Sequence, residues 1–391
     1  MSKPLGFEKP LGMRDVLPNS LEKQRWLEAR LKSCMKQWGY REISTPTLEY
    51  YDTVGGASAT LDNKLFKLLD REGKTLVLRP DMTAPIARVA SSLLKNEPLP
   101  LRLMYTSNVF RAQANEAGRN AEFGQTGVEL IGSGSVDADA EALALAISVL
   151  KAAGVETFKI AIGHIGFLEG LFEETVPEPD DRVALKEFLY YRDYVGFKKY
   201  VKSLSLSRES EYRLCELLTL RGGQELLDKA QSITVNGRAR KAVIHLRELW
   251  EALEAYQVAD NILFDLNLLS SLDYYTGIFF EGYAANQGFA LCMGGRYDGL
   301  MAQFGRPCPA TGFAVQMDRL MEAAVYEAEK KDKILVLYSV ENRRDALERA
   351  NELRRNSDAI VVTERVEDYQ PDGQHEEYIE VIKMFREEDA K

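Results

Sequence analysis

The chain has 391 residues, which predicts two or three domains and rules out a small disulfide-stapled scaffold. It is 45% hydrophobic and 28% charged, an ordinary globular composition. Fifty Lys+Arg against 60 Asp+Glu give a formal net charge of −10, which argues against a dedicated nucleic-acid binder while leaving room for a local basic patch.

In chain order, an amphipathic helix comes first. Leu27, Leu31, Cys34, Met35 and Trp38 share one face, Gly39 ends the run, and Asn19 and Ser20 offer caps. Residues 75–79 read as a strand running into Pro80. Residues 101–111 and 122–131 read as two longer strands, joined by a polar hairpin loop at 112–121. An Ala- and Leu-rich helix is expected over 136–153 and a strand over 157–162. Residues 165–260 change character and read as a helical insertion, broken at Gly222-Gly223 and Asn236-Gly237. Strand signals return at 262–266, 273–283 and 288–293, and a helix follows from Met317 to Lys330. From residue 332 a strand, a helix (343–355) and two short strands (359–363, 378–385) suggest a small α/β appendage. Residues 364–391 carry ten acidic and four basic side chains, so this end should repel polyanions.

Cys34, Cys215, Cys292 and Cys308 form no C-x-x-C pair and fit no zinc spacing, so reduced thiols are expected. Met1-Ser2-Lys3-Pro4 lacks an apolar signal core, and no run of ~20 apolar residues occurs. A cytoplasmic protein with no membrane partner is the expectation.

Chemistry concentrates on 122–131. Alternation puts Thr126, Val128 and Leu130 on one face and Phe123, Gln125, Gly127, Glu129 and Ile131 on the other. A strand that points Gln and Glu past a Gly suggests space beside polar groups, hence a pocket for a small cationic ligand. A buried carboxylate is costly unless paired, which such a ligand would satisfy; the alternative is a half-solvated strand whose Glu faces water. Tyr274 and Tyr275, beside Asp273, could line a pocket or simply form strand. Gly294 to Gly299 is Gly-rich but matches neither phosphate-loop motif. Arg111, Arg119 and Arg319 would suit a polyphosphate or carboxylate if they converged. Residues 182–202 hold six basic and two acidic residues among aromatics, which could stack bases but reads more simply as helix packing. His164, His245 and His375 are scattered; His245, among Ile244, Leu246 and Trp250, reads as structural. No Ser/His/Asp or metal constellation is readable, and no cofactor is expected.

Taken together, residues 5–325 resemble class II aminoacyl-tRNA synthetases, specifically histidyl-tRNA synthetases. Lys9-Pro-Leu-Gly-Met-Arg-Asp15 resembles the N-terminal Gly-x-x-Asp segment, and Thr45-Pro46-Thr47-Leu48-Glu49 the dimer-forming motif 1. Leu78 to Thr83 resembles the Arg-Pro-Glu-x-Thr element that holds the amino acid's amine. Phe110-Arg111 through Glu129 resembles motif 2, Leu272-Asp273-Tyr274-Tyr275 the histidine-specific segment, and Gly294–Leu300 with Gly312-Phe313 and Asp318-Arg319-Leu320 motif 3. The ordered series is specific although no single member is.

The departures fall on the chemistry. Where the synthetases carry Arg-Gly before Leu-Asp-Tyr-Tyr, this chain has Ser270-Ser271, losing a fixed positive charge of the kind that adenylation relies on. Gln113 replaces the motif 2 Glu, Ala121 a basic loop residue, Gly124 a His, and Asp81 a Glu. The 71 residues after Leu320 look short for a helix plus an anticodon-binding domain.

This pattern is similar to the regulatory subunits of ATP phosphoribosyltransferase. The resemblance implies an α+β fold: an antiparallel sheet flanked by helices over 1–325, with a helical insertion at about 165–260 and an α/β appendage at 332–391. It implies a non-catalytic subunit required for the first step of histidine biosynthesis, with feedback inhibition by histidine. Asp81, Thr83, Arg111, Gln125, Glu129, Tyr274 and Tyr275 would bind histidine, and Arg119, Phe123 and Arg319 would be remnants of a nucleotide site. The implied partners are a short catalytic subunit, in a hetero-octamer, and a second copy through motif 1, with no tRNA. A working histidyl-tRNA synthetase, or another histidine-binding adenylating enzyme, is the alternative.

Overall fold

The computed structural model describes residues 6, 8–55, 57–58, 60–112, 120–235, 237–269, 274–285, 287–326, 331–366 and 378–385. Two compact units divide the chain, 1–326 and 327–391.

In the larger unit, helix α1 (Pro18–Gln37) precedes β1 (Arg41–Glu42) and β2 (Leu48–Tyr50), then β3 (Lys67–Leu69), β4 (Thr75–Leu78), α2 (Thr83–Ser91), β5 (Leu101–Phe110) and β6 (Glu122–Ile131). Next come α3 (Val136–Ala152), β7 (Phe158–His164), and helices α4 (Ile165–Thr175), α5 (Pro179–Tyr190), α6 (Tyr194–Ser203) and α7 (Arg208–Leu217). The two-residue β8 (Arg221–Gly222), α8 (Leu226–Ser232) and α9 (Gly237–Ala255) follow. The unit closes with β9 (Ile262–Asp265), β10 (Ile278–Ala284), β11 (Cys292–Arg296), α10 (Asp298–Gln303), β12 (Ala310–Gln316) and α11 (Met317–Ala323).

Nine strands form one sheet in the order β1-β5-β6-β12-β11-β10-β7-β9-β8. It is antiparallel except at β1–β5 and β7–β9. Strands β2, β4 and β3 make a separate antiparallel sheet.

Helices α1 and α3 cover one face of the large sheet. Leu27, Leu31 and Met35, one turn apart on α1, are fully buried against a core that includes Val128 of β6 and Leu143 of α3. The helix starts at Pro18, whose missing N–H suits the first turn, and uses no side-chain cap, so Asn19 and Ser20 lie inside it. By contrast Ser135 does cap α3, its Oγ accepting from Ala138 N at 3.2 Å. The opposite face carries Tyr105, Tyr275, Phe279 and Tyr297, and this is where the cavity lies.

Three expected boundaries move. The strand expected over 273–283 begins at Ile278, because Tyr274 and Tyr275 both turn their rings inward, which consecutive strand residues cannot do. The strand expected over 288–293 sits at 292–296 instead. The helix expected to reach Lys330 ends at Ala323, where the chain extends and Tyr326 packs edge-on against Trp26 of α1, with ring centroids 5.2 Å apart.

The smaller unit holds β13 (Lys333–Tyr338), α12 (Arg343–Asn356), β14 (Ile360–Arg365) and β15 (Glu380–Met384). Its three strands are all parallel, in the order β14-β13-β15. Ala346 and Ala350 of α12 pack on Ile334 and Val336. Among the described residues no helix is long and apolar enough to cross a membrane, and no acidic, His and Cys side chains gather as a metal site.

Candidate functional site

Strand β6 runs through the middle of the large sheet, paired with β5 on one side and β12 on the other. Two of its odd-numbered residues, Gln125 and Glu129, line a small cavity. Asp81, Thr83, Arg111, Gln125, Glu129, Tyr274 and Tyr275 all line it, so the seven residues expected at one site meet there. Tyr105, Met293, Tyr297 and the Gly312–Ala314 stretch complete the wall and were not anticipated from sequence.

Glu129 is the centre. It is 2% exposed, and its partners are hydroxyls: Thr83 Oγ1 donates to Oε1 at 2.8 Å, and the Tyr297 hydroxyl donates to Oε2. Burial pushes its pKa up to about 8, against the two hydroxyl hydrogen bonds that favour the charged form, and Asp81 nearby adds to the rise. At neutral pH with no cation present, the carboxyl therefore keeps its proton.

Asp81 sits where β4 turns into α2. Its Oδ1 accepts from Ala84 N at 3.0 Å and its Oδ2 from the Ser58 hydroxyl, which fixes the carboxylate's plane at the cavity wall. Arg111 Nε donates to Pro80 O at 2.8 Å, and its guanidinium lies 5.5 Å from the centre of the Phe123 ring. The Tyr274 and Tyr275 rings are 4.7 Å apart, and Tyr274 meets Tyr297 edge-on at 5.7 Å. Burial raises the pKa of all three phenols, so they act as neutral hydrogen-bonding groups. Two acids, several hydroxyls and one Arg can hold a small zwitterion with a cationic side chain.

Gly127 does not open the space that its spacing suggested. A Cβ there would lie 2.4 Å from Phe313 O and 2.6 Å from the Tyr105 hydroxyl, so the glycine admits close neighbours instead.

The remaining expected residues lie elsewhere. Phe123 borders a second cavity on the α1 side of the sheet. Arg319 Nη1 donates to Ala290 O at 2.8 Å, with its guanidinium 5.0 Å from the Phe289 ring centre, and it does not line the Glu129 cavity. Arg119, Gln113 and Ser270–Asp273 lie outside the described residues.

The chain is similar to known proteins over most of its length. A family model described as histidyl-tRNA synthetase matches residues 12–320. The ATP phosphoribosyltransferase regulatory subunit of Bacillus licheniformis is 51% identical over 357 residues, 91% of each chain. The protein of that name from Halalkalibacterium halodurans is 46% identical, covering 98% of this chain and 97% of its own. A crystal structure of an ATP phosphoribosyltransferase regulatory subunit/histidyl-tRNA synthetase from Bacillus halodurans superposes with a TM-score of 0.91 at 45% identity, covering 98% of this chain and all of that one. The chain belongs to the ATP phosphoribosyltransferase regulatory subunit family. A histidyl-tRNA synthetase from Nostoc shares the class II fold at a TM-score of 0.79 and 19% identity, covering 95% of this chain and 88% of its own.

Two departures of this family member from the synthetase pattern have a visible steric setting. Ala121 is 2% exposed and donates its N–H to Gly12 O at 2.8 Å; a Cβ on Gly12 would lie 2.7 Å from the Ala121 Cβ. A Cβ at Gly124 would lie 3.2 Å from Met317 of α11, so a side chain as large as His has to displace that helix residue.

Proposed function

We propose that the chain is the non-catalytic regulatory subunit of an ATP phosphoribosyltransferase, and that it senses free histidine at the Glu129 cavity. The observation that carries this reading is the buried, hydroxyl-held Glu129, grouped with Asp81 and two Tyr in one cavity. Asp81 pairs with the α-ammonium and Arg111 with the carboxylate. Glu129 and a Tyr hydroxyl read the two imidazole nitrogens, since a ring N–H donates to a carboxylate. A site built from buried polar groups rejects analogues that leave those groups unpaired.

The same sequence lacks the means to activate the amino acid. Ser270 stands where the synthetases place an arginine, and Gln113 and Ala121 depart as well. The chain therefore acts by coupling: it joins the short catalytic subunit that condenses ATP with phosphoribosyl pyrophosphate in histidine biosynthesis, in a hetero-octamer. Histidine then lowers the rate by binding one state of the complex better than the other. A second copy docks through the small β2-β4-β3 sheet, where Leu48, Tyr50, Leu68 and Leu69 are exposed. tRNA has no role, and the site is cytoplasmic.

Reconstitution with the short catalytic subunit tests this. Phosphoribosyl-ATP formation should rise when this chain is added and fall across a histidine series, by a factor of ~5–150 in effective affinity. Glu129→Ala should keep the activation and weaken the histidine response. A catalytic subunit that is equally active alone and equally insensitive to histidine in the mixture would end the regulatory reading. The family-model match to histidyl-tRNA synthetases keeps one rival, an adenylating enzyme; histidine-dependent ATP–pyrophosphate exchange would establish it instead.

A further inference from the structure

Across the sheet from the cavity lies a buried ionic cluster with no part in the ligand contacts above. Arg296 ends β11 and Tyr297 follows it, so their side chains leave opposite faces. Tyr297 reaches Glu129. Arg296 turns toward α3, where its Nε donates to Asp139 Oδ2 at 3.0 Å and its Nη2 lies 2.9 Å from Oδ1. Its Nη1 donates to Ser133 O at 3.0 Å and to Asp298 Oδ1 at 3.1 Å. Asp139 is wholly buried, and His245 Nε2, on α9, lies 3.2 Å from its Oδ2.

The backbone at the end of β11 is held on both sides: Gly295 pairs with Phe279 of β10 and Gly312 of β12, Arg296 O accepts from Thr276 N at 2.8 Å, and Tyr297 N donates to Ala310 O at 2.8 Å. Residues 294 and 295 are Gly, so neither packs a side chain, and a Cβ on Gly295 would lie 2.3 Å from Ile278 O. On the face away from the cavity, the Arg296 guanidinium adds a buried ionic anchor next to Tyr297. A buried ion pair is strongly disturbed when one partner is removed, because the other charge is left uncompensated.

We propose that His245, Asp139 and Arg296 are positioning residues for the cavity. They fix Tyr297 against Glu129 from the far side of the sheet. The packing of α9, in the helical segment, thereby sets ligand affinity without touching the ligand. The contacts run from His245 to Asp139 to Arg296, then through one peptide bond to Tyr297 and on to Glu129. The choice of histidine as ligand rests on the function proposed above; the positioning itself does not.

Two substitutions at His245 separate positioning from bulk. His245→Phe keeps a ring against His164, whose ring centre lies 5.4 Å away, but removes the Nε2 donor. His245→Gln keeps an N–H donor. Calorimetry should show histidine binding weakened ~2- to 30-fold by His245→Phe and little changed by His245→Gln. In a Tyr297→Phe background the His245→Phe effect should vanish, because the route ends at that hydroxyl. Without ligand, amide hydrogen exchange over residues 292–300 should quicken in His245→Phe and stay wild-type in His245→Gln. A His245→Phe protein with unchanged exchange there, or with an effect that simply adds to that of Tyr297→Phe, would overturn the proposal. If the wild-type chain binds no histidine, the histidine reading fails by itself and the exchange measurement decides the positioning role.

Discussion

Glu129 and His164 make opposite demands on the pH dependence of stability. Burial lifts the Glu129 pKa from 4.5 to about 8, so in that window the folded protein keeps a proton that the unfolded chain has lost, and stability falls as pH rises. Burial, with His245 beside it, lowers His164 from 6.5 to about 3, so its contribution is lost as pH falls through that range. The two slopes cancel between pH 4.5 and 6.5, and above 6.5 only the Glu129 slope remains. Urea unfolding at pH 6.5 and pH 8 should show a Glu129-dependent loss of about 2 kcal/mol, which Glu129→Gln abolishes. An equal loss in both proteins would mean that this carboxyl does not titrate as a buried acid. At this scale the sequence was partly readable. Period two puts Gln125 and Glu129 on one face, whereas Tyr297 was hidden in a Gly-rich run that reads as a loop. Counting the same alternation onward from Met293 and Gly295 would have found it.

Strand β6 was legible over its full length, 122–131, because ten alternating residues leave little doubt about period, and α3 was legible from its Ala and Leu content. Strand β12 was not. Residues 310–316 include Thr, Gly and two Ala, a poor strand signal, and the reason is spatial: a Cβ at Gly312 would lie 2.3 Å from Glu129 Oε2 and from Val128 O. Small residues let β12 lie close against the cavity wall, and close packing erases the pattern that announces a strand. Gly127 of β6 has the same constraint. Gly127→Ala should cost ~1–3 kcal/mol through forced shifts of Tyr105 and the Phe313 carbonyl, measured by denaturant unfolding. Full stability in that variant would mean that the strands can part without cost. The overshoot of α11 past Ala323 has another origin, since the helical pattern continues but the Trp26 contact draws Tyr326 into extended chain.

At the largest scale, the strand order β1-β5-β6-β12-β11-β10-β7-β9-β8 brings together residues as distant as Asp81, Arg111, Glu129, Tyr274 and Tyr297, and no local pattern encodes that. The family resemblance implies the mostly antiparallel sheet; the parallel pairings of β1 with β5 and β9 with β7 have no signal in the sequence. The proposed dimer belongs to this scale. Leu69 is 72% exposed and Tyr50 50%, so Leu69→Glu with Tyr50→Glu should leave the thermal midpoint nearly unchanged while converting a sedimenting dimer to monomer at micromolar concentration. A wild-type monomer, or a variant that stays dimeric, would move the contact elsewhere. The segment that presses Gly12 onto Ala121 is pinned further on, where Arg14 meets Asp318 at 2.5 Å and Asn120 donates to the same carboxylate at 2.9 Å. A longer side chain at 121 would press on that segment, because Ala121 is buried against Gly12. The clamp works as a clasp: a bulkier residue at 121 finds room only if the N-terminal strap lets go of Asp318.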